Sequence, residues 1–250
     1  MSQLEPSPSI SPPGGSVSAI GAKIRSRGPE VWLLASLLIV AGLLFVFMKL
    51  ASEVFEGETA AFDRNAILAL RVAGNPSDPI GPVWLEEAAR DVTSLGSVII
   101  VSAFSAAAVI YFLLARRRGP ALLMLGSVVG GVILNNLLKF AFARPRPELA
   151  LQTARIFTSS FPSGHAALSA VAYLTLGALL ARGAESRAIR IYVMSFAILI
   201  VLMIGLTRVY LGVHFPTDVL AGWCIGAAWA GICWIAANQL APGNHERPKP

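Results

Sequence analysis

The 250-residue chain is long enough for one sizeable domain, but 55% of its residues are hydrophobic and only 14% are charged. Soluble domains carry about 25% charged residues, so this composition argues against a soluble protein and indicates a chain whose solvent is lipid. The net charge of +6 and the pI near 9.8 suggest a nucleic-acid partner. The basic residues, however, lie beside apolar segments and form no stripe with interleaved aromatic residues, so no nucleic acid is expected.

The first 28 residues are rich in Ser, Pro and Gly and lack apolar periodicity, which predicts a disordered cytoplasmic tail over 1–28. A cleaved signal peptide is the alternative. The apolar run that follows begins late, is longer than a signal core and lacks a clear small-x-small cleavage site. The folded domain is therefore predicted over 29–238, with a second cytoplasmic tail over 239–250.

Six stretches are apolar over the length of a membrane-spanning helix, which needs roughly 20 such residues to cross a hydrocarbon core of ~30 Å. None contains Lys, Arg, Asp or Glu, and His165 is their one strongly ionisable residue. Backbone polar groups inside lipid must be satisfied within the segment, so we predict an all-α fold, a six-transmembrane helix bundle. The stretches are residues 31–48, 95–115, 120–138, 163–181, 191–207 and 219–237.

Basic residues between these stretches predict an orientation. Three arginines occupy 116–118, and Arg182, Arg187 and Arg190 lie between the fourth and fifth stretches. An even number of spans places these loops and both termini on one side, which the positive-inside rule makes cytoplasmic. The prediction is a multi-pass protein of the cell (inner) membrane, with the functional site described below on the outer, periplasmic face.

Gly126 and Gly130 form a GxxxG motif in the third stretch. We assign this motif to packing within the bundle, so it gives no information on the oligomeric state.

The longest connection, residues 51–94, carries eight acidic residues and three arginines, as expected for a segment that faces away from the cytosol. Apolar residues recur at helical spacing around Phe62 and Ile67 and again around Trp84, Leu85 and Val92. These two segments are predicted to be short amphipathic helices that lie on the membrane or cap the bundle.

Several basic residues fall on the predicted outer face, where the positive-inside rule does not explain them. Lys139 ends the third stretch, Arg146 follows it, and Arg208 ends the fifth. Three cations from separate stretches suit a dianionic group, and the planar fork of Arg matches phosphate oxygens. Ser163 and Gly164 open the fourth stretch, where the free N–H groups of a helix start favour an anion. Phosphate is the predicted ligand.

Two histidines on the same face suit phosphoryl transfer. His214 precedes Asp218 by four residues, so the carboxylate can accept from one imidazole nitrogen and leave the other free to attack phosphorus. His165 is then the acid that protonates the leaving oxygen. Arg144 and Arg155 lie outside this pattern and are interpreted either as loop charges or as contacts to an anionic headgroup.

The order and spacing of these residues resemble the three signature motifs of the type 2 phosphatidic acid phosphatase (PAP2) superfamily. The resemblance extends to the six-span plan over residues 30–237. One departure is Thr207, where the family pattern usually has Ser before the arginine. The motifs read Lys139-x6-Arg146-Pro147, Pro162-Ser163-Gly164-His165 and Arg208-x5-His214-x3-Asp218.

The resemblance implies a bacterial integral-membrane phosphatase that hydrolyses a lipid phosphomonoester or pyrophosphate through a phosphohistidine. No cofactor and no metal are expected, because the region offers two histidines and one nearby Asp but no carboxylate cluster. The implied catalytic residues are His214, His165 and Asp218, and the implied phosphate-binding residues are Lys139, Arg146, Arg208, Ser163 and Gly164.

Other functions fit part of this pattern. The constellation also resembles that of vanadium haloperoxidases, although membrane embedding favours the phosphatase. Phosphoryl transfer to an alcohol or another lipid is a further alternative, as is a non-catalytic lipid-phosphate carrier, which would need no oriented His–Asp pair. Among lipid substrates, the outward-facing site favours an isoprenyl diphosphate, followed by phosphatidylglycerol phosphate and phosphatidic acid, with lipid A also considered.

Overall fold

The computed structural model of the chain describes residues 28–147 and 159–240. Of the two predicted tails, only Gly28, Gln239 and Leu240 are among the described residues. Arg155 also lies outside the described residues. The described residues form eight helices and one two-stranded antiparallel sheet. They are α1 (Gly28–Glu56), α2 (Ala60–Leu68), β1 (Arg71–Val72), β2 (Asn75–Pro79), α3 (Val83–Ser94), α4 (Val98–Leu114), α5 (Arg118–Phe142), α6 (Gly164–Gly183), α7 (Arg187–Tyr210) and α8 (Pro216–Leu240), with Arg71 opposite Pro79 and Val72 opposite Asn75 in the sheet.

Helix α1 contains the boundary between two compact units, the first ending at Leu38 and the second beginning at Ile39. In the first unit, the described residues are one stretch of helix whose large apolar side chains are exposed, with Trp32 76% accessible. Apolar side chains directed outward suit lipid as the surrounding medium. The bundle and the site described below belong to the second unit.

Five helices are long and apolar enough to cross a membrane: α1, α5, α6, α7 and α8. Helices α3 and α4 are bent by 47° across a short break and make a sixth span only if they are counted as one. Helix α4 alone has 17 residues, or ~26 Å, which is shorter than the ~30 Å core. It begins later than the predicted stretch 95–115 because Ser97 caps it, accepting from Ile100 N–H at 3.3 Å. The described residues thus support a multi-pass membrane protein with five or six spans.

Helix α6 is the most buried of these helices and packs against α5, α7 and α8. Two glycines of α8 permit a close approach: a Cβ at Gly222 would lie 2.7 Å from the carbonyl oxygen of Ser163, and one at Gly226 would lie 2.4 Å from that of Ala167. A residue larger than glycine would not fit at either position unless the backbone shifted. The approach brings the start of α8 to the start of α6, where Ser163 N–H donates to the carbonyl oxygen of Asp218 at 2.9 Å.

The GxxxG of α5 contributes to internal packing through one of its two glycines. A Cβ at Gly130 would lie 2.4 Å from Cζ2 of Trp229, whereas one at Gly126 would meet no atom within 4 Å. The indole N–H of Trp229 also donates to the carbonyl oxygen of Ser127 at 2.8 Å. Gly130 therefore seats a side chain of α8 against α5.

The connection between α1 and α4 holds helices α2 and α3, at the two segments with apolar periodicity, and a hairpin that the sequence did not predict. Gly74 has a φ of +84°, a left-handed conformation that glycine adopts without strain and that closes the turn. Arg71 donates to the carbonyl oxygen of Tyr210 at 2.8 Å, and the Tyr210 hydroxyl donates to that of Ile80, also at 2.8 Å. These bonds fasten the hairpin to the end of α7.

Candidate active site

One end of the bundle gathers the segments that carry the predicted site residues. The end of α5, residues 143–147, the start of α6, the end of α7 and the start of α8 meet there. Lys139 Nζ donates to the carbonyl oxygen of Ser159 at 2.6 Å, which ties α5 to the segment before α6. The carbonyl oxygen of Arg208 accepts from the backbone N–H groups of Val213 and His214 at 3.1 and 3.3 Å. The fold thus brings the predicted site residues to one place.

His214 and Asp218 face each other at the start of α8. His214 is 1% exposed and Asp218 is fully buried. Nδ1 of His214 lies 3.5 Å from Oδ2 of Asp218, which is longer than the 2.7–3.2 Å of a normal N–H···O bond. The same carboxylate oxygen accepts from Phe215 N–H at 2.9 Å, so Asp218 caps the start of its own helix. The capping bond holds the carboxylate beside the imidazole.

The second nitrogen of His214 faces a cation. Nη1 of Arg146 lies 3.1 Å from Nε2 of His214 and donates to the carbonyl oxygen of Val213 at 2.9 Å. Because a guanidinium can only donate, Nε2 must accept, and the ring carries its proton on Nδ1, towards Asp218. Burial lowers the pKa of His214 to about 4, although Asp218 acts to raise it. His214 is therefore neutral at physiological pH, with a lone pair on Nε2.

Two further cations, Arg208 and Lys139, lie within electrostatic reach of Arg146. Arg208 is 7% exposed, and its Nη1 lies 3.3 Å from Oγ1 of Thr93 in α3. Lys139 lies against the start of α6, where a Cβ at Gly164 would come within 3.4 Å of Lys139 Cε. Thr207 is the residue that departs from the family pattern. Its hydroxyl donates to a carbonyl oxygen within α7 at 2.7 Å and so is not directed at the neighbouring Arg208. The site is thus strongly positive.

Three buried polar atoms of the predicted site residues have no hydrogen-bond partner among the described residues: Oγ of Ser163, Nε of Arg208 and Nδ1 of His214. Ser163 occupies the N-cap position of α6, but its hydroxyl makes no capping bond. Leaving a buried donor without a partner costs about 1–3 kcal/mol. A hydroxyl and a guanidinium N–H that are buried and unpaired beside a helix start are suited to an oxyanion.

His165 is half-buried in the first turn of α6, within electrostatic reach of Arg208, His214, Arg146 and Lys139. The bend between α3 and α4 approaches it closely, because a Cβ at Gly96 would lie 3.3 Å from the His165 side chain. The fold thus brings both histidines to the same group of cations.

Arg144 is not a free loop charge, because two carboxylates hold its guanidinium. Nη1 donates to Oδ1 of Asp218 at 2.6 Å, and Nη2 donates to Oδ2 of Asp63 at 2.8 Å. The guanidinium also lies 4.5 Å from the ring centre of Phe215, within cation–π range. Arg144 therefore links α2 to the carboxylate that faces His214.

Asp63 was missed by sequence reasoning. It is fully buried in the first turn of α2 and accepts from Thr217 twice, from the backbone N–H at 3.1 Å and from the hydroxyl at 2.6 Å. The Thr217 hydroxyl accepts in turn from Arg144 at 3.0 Å. The sequence signal that could have indicated its burial is the i, i+4 spacing of Asp63 and Ile67. This spacing places both side chains on one face of α2, and both are buried there.

A cavity of about 610 Å³ opens beside the site and mixes apolar walls with guanidinium groups, as expected for a lipid headgroup or chain. Among the residues that the structure describes, no three His, Cys, Asp or Glu side chains lie together as a metal-binding group. The cavity is lined by side chains that include Val54, Arg64, Ile67, Leu68, Arg144, Arg146 and Phe215.

The chain is similar to known proteins. The PAP2 superfamily matches residues 120–241, the segment that contains all three motifs. Phosphatidylglycerophosphatase B of Bacillus subtilis strain 168 is 33% identical over 146 residues, which are 57% of this chain and 70% of that protein. The undecaprenyl-diphosphatase of Sulfolobus acidocaldarius is 27% identical over 121 residues, which are 46% of this chain and 54% of that protein.

The fold is also similar to a solved structure. The crystal structure of a transmembrane PAP2 type phosphatidylglycerolphosphate phosphatase from Bacillus subtilis matches with a TM-score of 0.74 and 26% sequence identity. The match covers 83% of this chain and 98% of that one. The similarity therefore extends through nearly the whole fold of the solved protein.

Proposed function

This chain belongs to the PAP2 superfamily, and we propose that it is a membrane lipid phosphatase that cleaves a lipid phosphate or diphosphate through His214. The observation that carries this proposal is the state of the His214 ring. Its Nε2 holds a lone pair beside the guanidinium of Arg146, and its protonated Nδ1 is directed at the buried Asp218. A nucleophile with an orienting carboxylate is what attack on phosphorus requires.

The first chemical step forms a bond between Nε2 of His214 and phosphorus and breaks the bond from phosphorus to the lipid or diphosphate oxygen. The guanidinium of Arg146 moves from Nε2 to the phosphate, which Lys139 and Arg208 also hold. His165, which the bound phosphate dianion stabilises in its protonated form, gives its proton to the leaving oxygen. Asp218 stabilises the positive charge that His214 gains, and the 3.5 Å separation closes as that charge develops.

The second step returns the enzyme to its starting state. Water attacks the phosphorus of the phosphohistidine while His165, now neutral, takes a proton from that water. The bond between Nε2 and phosphorus breaks, and inorganic phosphate leaves. Ser163 and the N–H of Gly164 stabilise the equatorial oxygens in both steps, a role supported by the unpaired Ser163 hydroxyl.

The proposed arrangement in the membrane has six spans, with the bent pair α3 and α4 as the second. Both termini are cytoplasmic, and the site is on the outer face of the cell membrane. The arginines at 116–118 and Arg182 support this orientation, because they lie at the opposite ends of the helices from the site. Helices α2 and α3 are the proposed amphipathic segments that cap the bundle on the outer face.

The proposed substrate is an isoprenyl diphosphate or phosphatidylglycerol phosphate. Two similar proteins are named for these activities. The cavity beside the site is apolar enough for the start of a lipid chain, and its Arg64 can meet the charge that remains on the headgroup. The reaction needs no metal, because three cations supply the positive charge that a metal would provide.

Phosphate release by the purified protein in detergent tests this function. The substrates are an isoprenyl diphosphate, phosphatidylglycerol phosphate, phosphatidic acid and lipid A, each with and without a chelator. We expect release from at least one, undiminished by the chelator and inhibited by vanadate, which mimics five-coordinate phosphorus. Release that is abolished by the chelator and restored by a divalent metal contradicts the metal-independent mechanism. No release from any of the four contradicts the proposed function.

A further inference from the structure

A chain of buried polar contacts runs from α2 to the nucleophile. Asp63 and Asp218 are both fully buried, and Arg144 bridges them with distances of 2.8 and 2.6 Å. Isolated buried charges are strongly unfavourable, and they persist where they are paired and hydrogen-bonded. Each carboxylate here accepts further bonds, Asp63 from Thr217 and Asp218 from Phe215 N–H. The cluster is therefore closed and well satisfied.

The direction of the Asp218 carboxylate depends on this cluster. One oxygen accepts from Arg144, which leaves the other for Phe215 N–H and the His214 ring. A carboxylate held at both oxygens cannot rotate away from the imidazole. The Arg144 fork is in turn held by Asp63, by the Thr217 hydroxyl and by the Phe215 ring. Removing Asp63 would free one arm of that fork.

We propose that Asp63, acting through Arg144 and Thr217, is a positioning residue for the reaction, since it holds Asp218 in the orientation that directs Nε2 of His214 at phosphorus. Asp63 touches no substrate, because its side chain is fully buried and does not line the cavity. Its helix, α2, lies in the connection outside the three motifs. The inference rests on the function proposed above. It means that the connection between α1 and α4 helps to hold the catalytic residues in position.

The decisive variant is Asp63→Asn, which keeps the shape of the side chain and removes its charge. We expect kcat to fall roughly 10- to 100-fold, as misplacement of a reacting group does, while KM for the same lipid changes less than about threefold. Thr217→Val removes the linking hydroxyl without leaving a charge unpaired, and we expect a smaller fall in the same direction. Glu86→Gln, which breaks a surface ion pair with Arg90 in α3, is the matched control and should retain wild-type kcat.

A spectroscopic signature separates positioning from a purely structural role. The chain has three histidines, so ¹⁵N-histidine NMR resolves few rings, and His165→Gln and His245→Gln assign them. The wild-type His214 ring should be the neutral tautomer with its proton on Nδ1. The groups that act on the ring are Asp218, Arg208, Arg146 and His165. In Asp63→Asn, a fraction of the Nε2–H tautomer should appear, because a displaced Asp218 no longer accepts from Nδ1–H and Arg146 alone then opposes a proton on Nε2.

The outcomes are distinguishable. Wild-type kcat and an unchanged tautomer in folded Asp63→Asn overturn the inference while the phosphatase function stands. If Asp63→Asn does not fold, Thr217→Val decides, and wild-type kcat with an unchanged tautomer in that variant also overturns it. If the wild-type protein releases no phosphate from any lipid, the proposed function fails, and the tautomer measurement still tests whether Asp63 orients the His214 ring. A raised KM with unchanged kcat assigns Asp63 to substrate binding and contradicts the positioning role.

Discussion

Replacing His214 by alanine is expected to lower kcat by about 10⁴-fold or more, because the variant lacks the nucleophile that forms the covalent intermediate. The proposed phosphate-binding groups Lys139, Arg146 and Arg208 remain in place. We therefore expect substrate binding to persist. Phosphate release at steady state, measured on protein that elutes as wild type from size-exclusion chromatography, gives the first quantity, and equilibrium binding of a non-hydrolysable lipid phosphonate gives the second.

The matched control is His245→Ala, since His245 follows the last helix in the sequence and lies outside the three motifs. That variant should keep wild-type kcat. If His214→Ala retains more than about a tenth of wild-type activity, another group attacks phosphorus and the assignment of His214 is wrong. If binding is lost together with activity, the ring serves the phosphate pocket rather than the chemistry.

Replacing Asp218 by asparagine is expected to lower kcat by roughly 10³- to 10⁴-fold, an effect comparable with loss of the orienting carboxylate in other His–Asp pairs. The carboxylate accepts on both oxygens, from Arg144 at 2.6 Å and from Phe215 N–H at 2.9 Å. An amide can accept on only one. If its NH₂ faces Arg144, two donors oppose each other. If it faces His214, the ring is driven to carry its proton on Nε2, which removes the lone pair that attacks.

Either orientation of the amide is therefore harmful. The variant also leaves Arg144 with one carboxylate, Asp63, in place of two. Steady-state kinetics with a lipid phosphate and the ¹⁵N resonances of His214 test both consequences together. Asp78→Asn is the control, because Asp78 is exposed in β2 at the same end of the molecule. An Asp218→Asn variant with near wild-type kcat would show that His214 needs no orienting carboxylate.

The part of the site that could be predicted from the sequence is the part with local signals. His214 and Asp218 are four residues apart at a helix start, and Ser163, Gly164 and His165 are adjacent at another. Helix periodicity and the even number of spans then place both starts on one side of the membrane. The spacing along the chain is therefore enough to predict that these residues lie near one another, and in the structure they do.

The residues that sequence reasoning missed are joined by contacts between distant parts of the chain. Asp63 lies 81 positions from Arg144 and 154 from Thr217. The spacing of Asp63 and Ile67 places both on one face of α2, but it does not identify the distant arginine that the Asp63 carboxylate meets. Arg144 was seen but not assigned for the same reason, since its partners come from two other elements.

The fold shows the same division between local and distant signals. Long apolar stretches predicted α1, α5, α6, α7 and α8 because a lipid-facing helix must be apolar along its whole length. The bend between α3 and α4 lies at Gly96, where the side chains of Ile204 and His165 leave no room for a Cβ, and the hairpin turns at Gly74, whose φ is +84°. Apolar periodicity carries no information about such bends.

The central claim is that phosphate is carried on Nε2 of His214, and trapping that intermediate tests it most directly. The enzyme is the His165→Ala variant, which lacks the proposed acid and the group that activates water. The substrate is a ³²P-labelled aryl phosphate, whose leaving group needs little protonation. The reaction is quenched within milliseconds and the protein is mapped by mass spectrometry. We predict one phosphoryl group per chain on the peptide that contains His214, and none in His165→Ala/His214→Ala. Label on any other residue, or turnover by His165→Ala with no labelled protein at any time, would contradict the account.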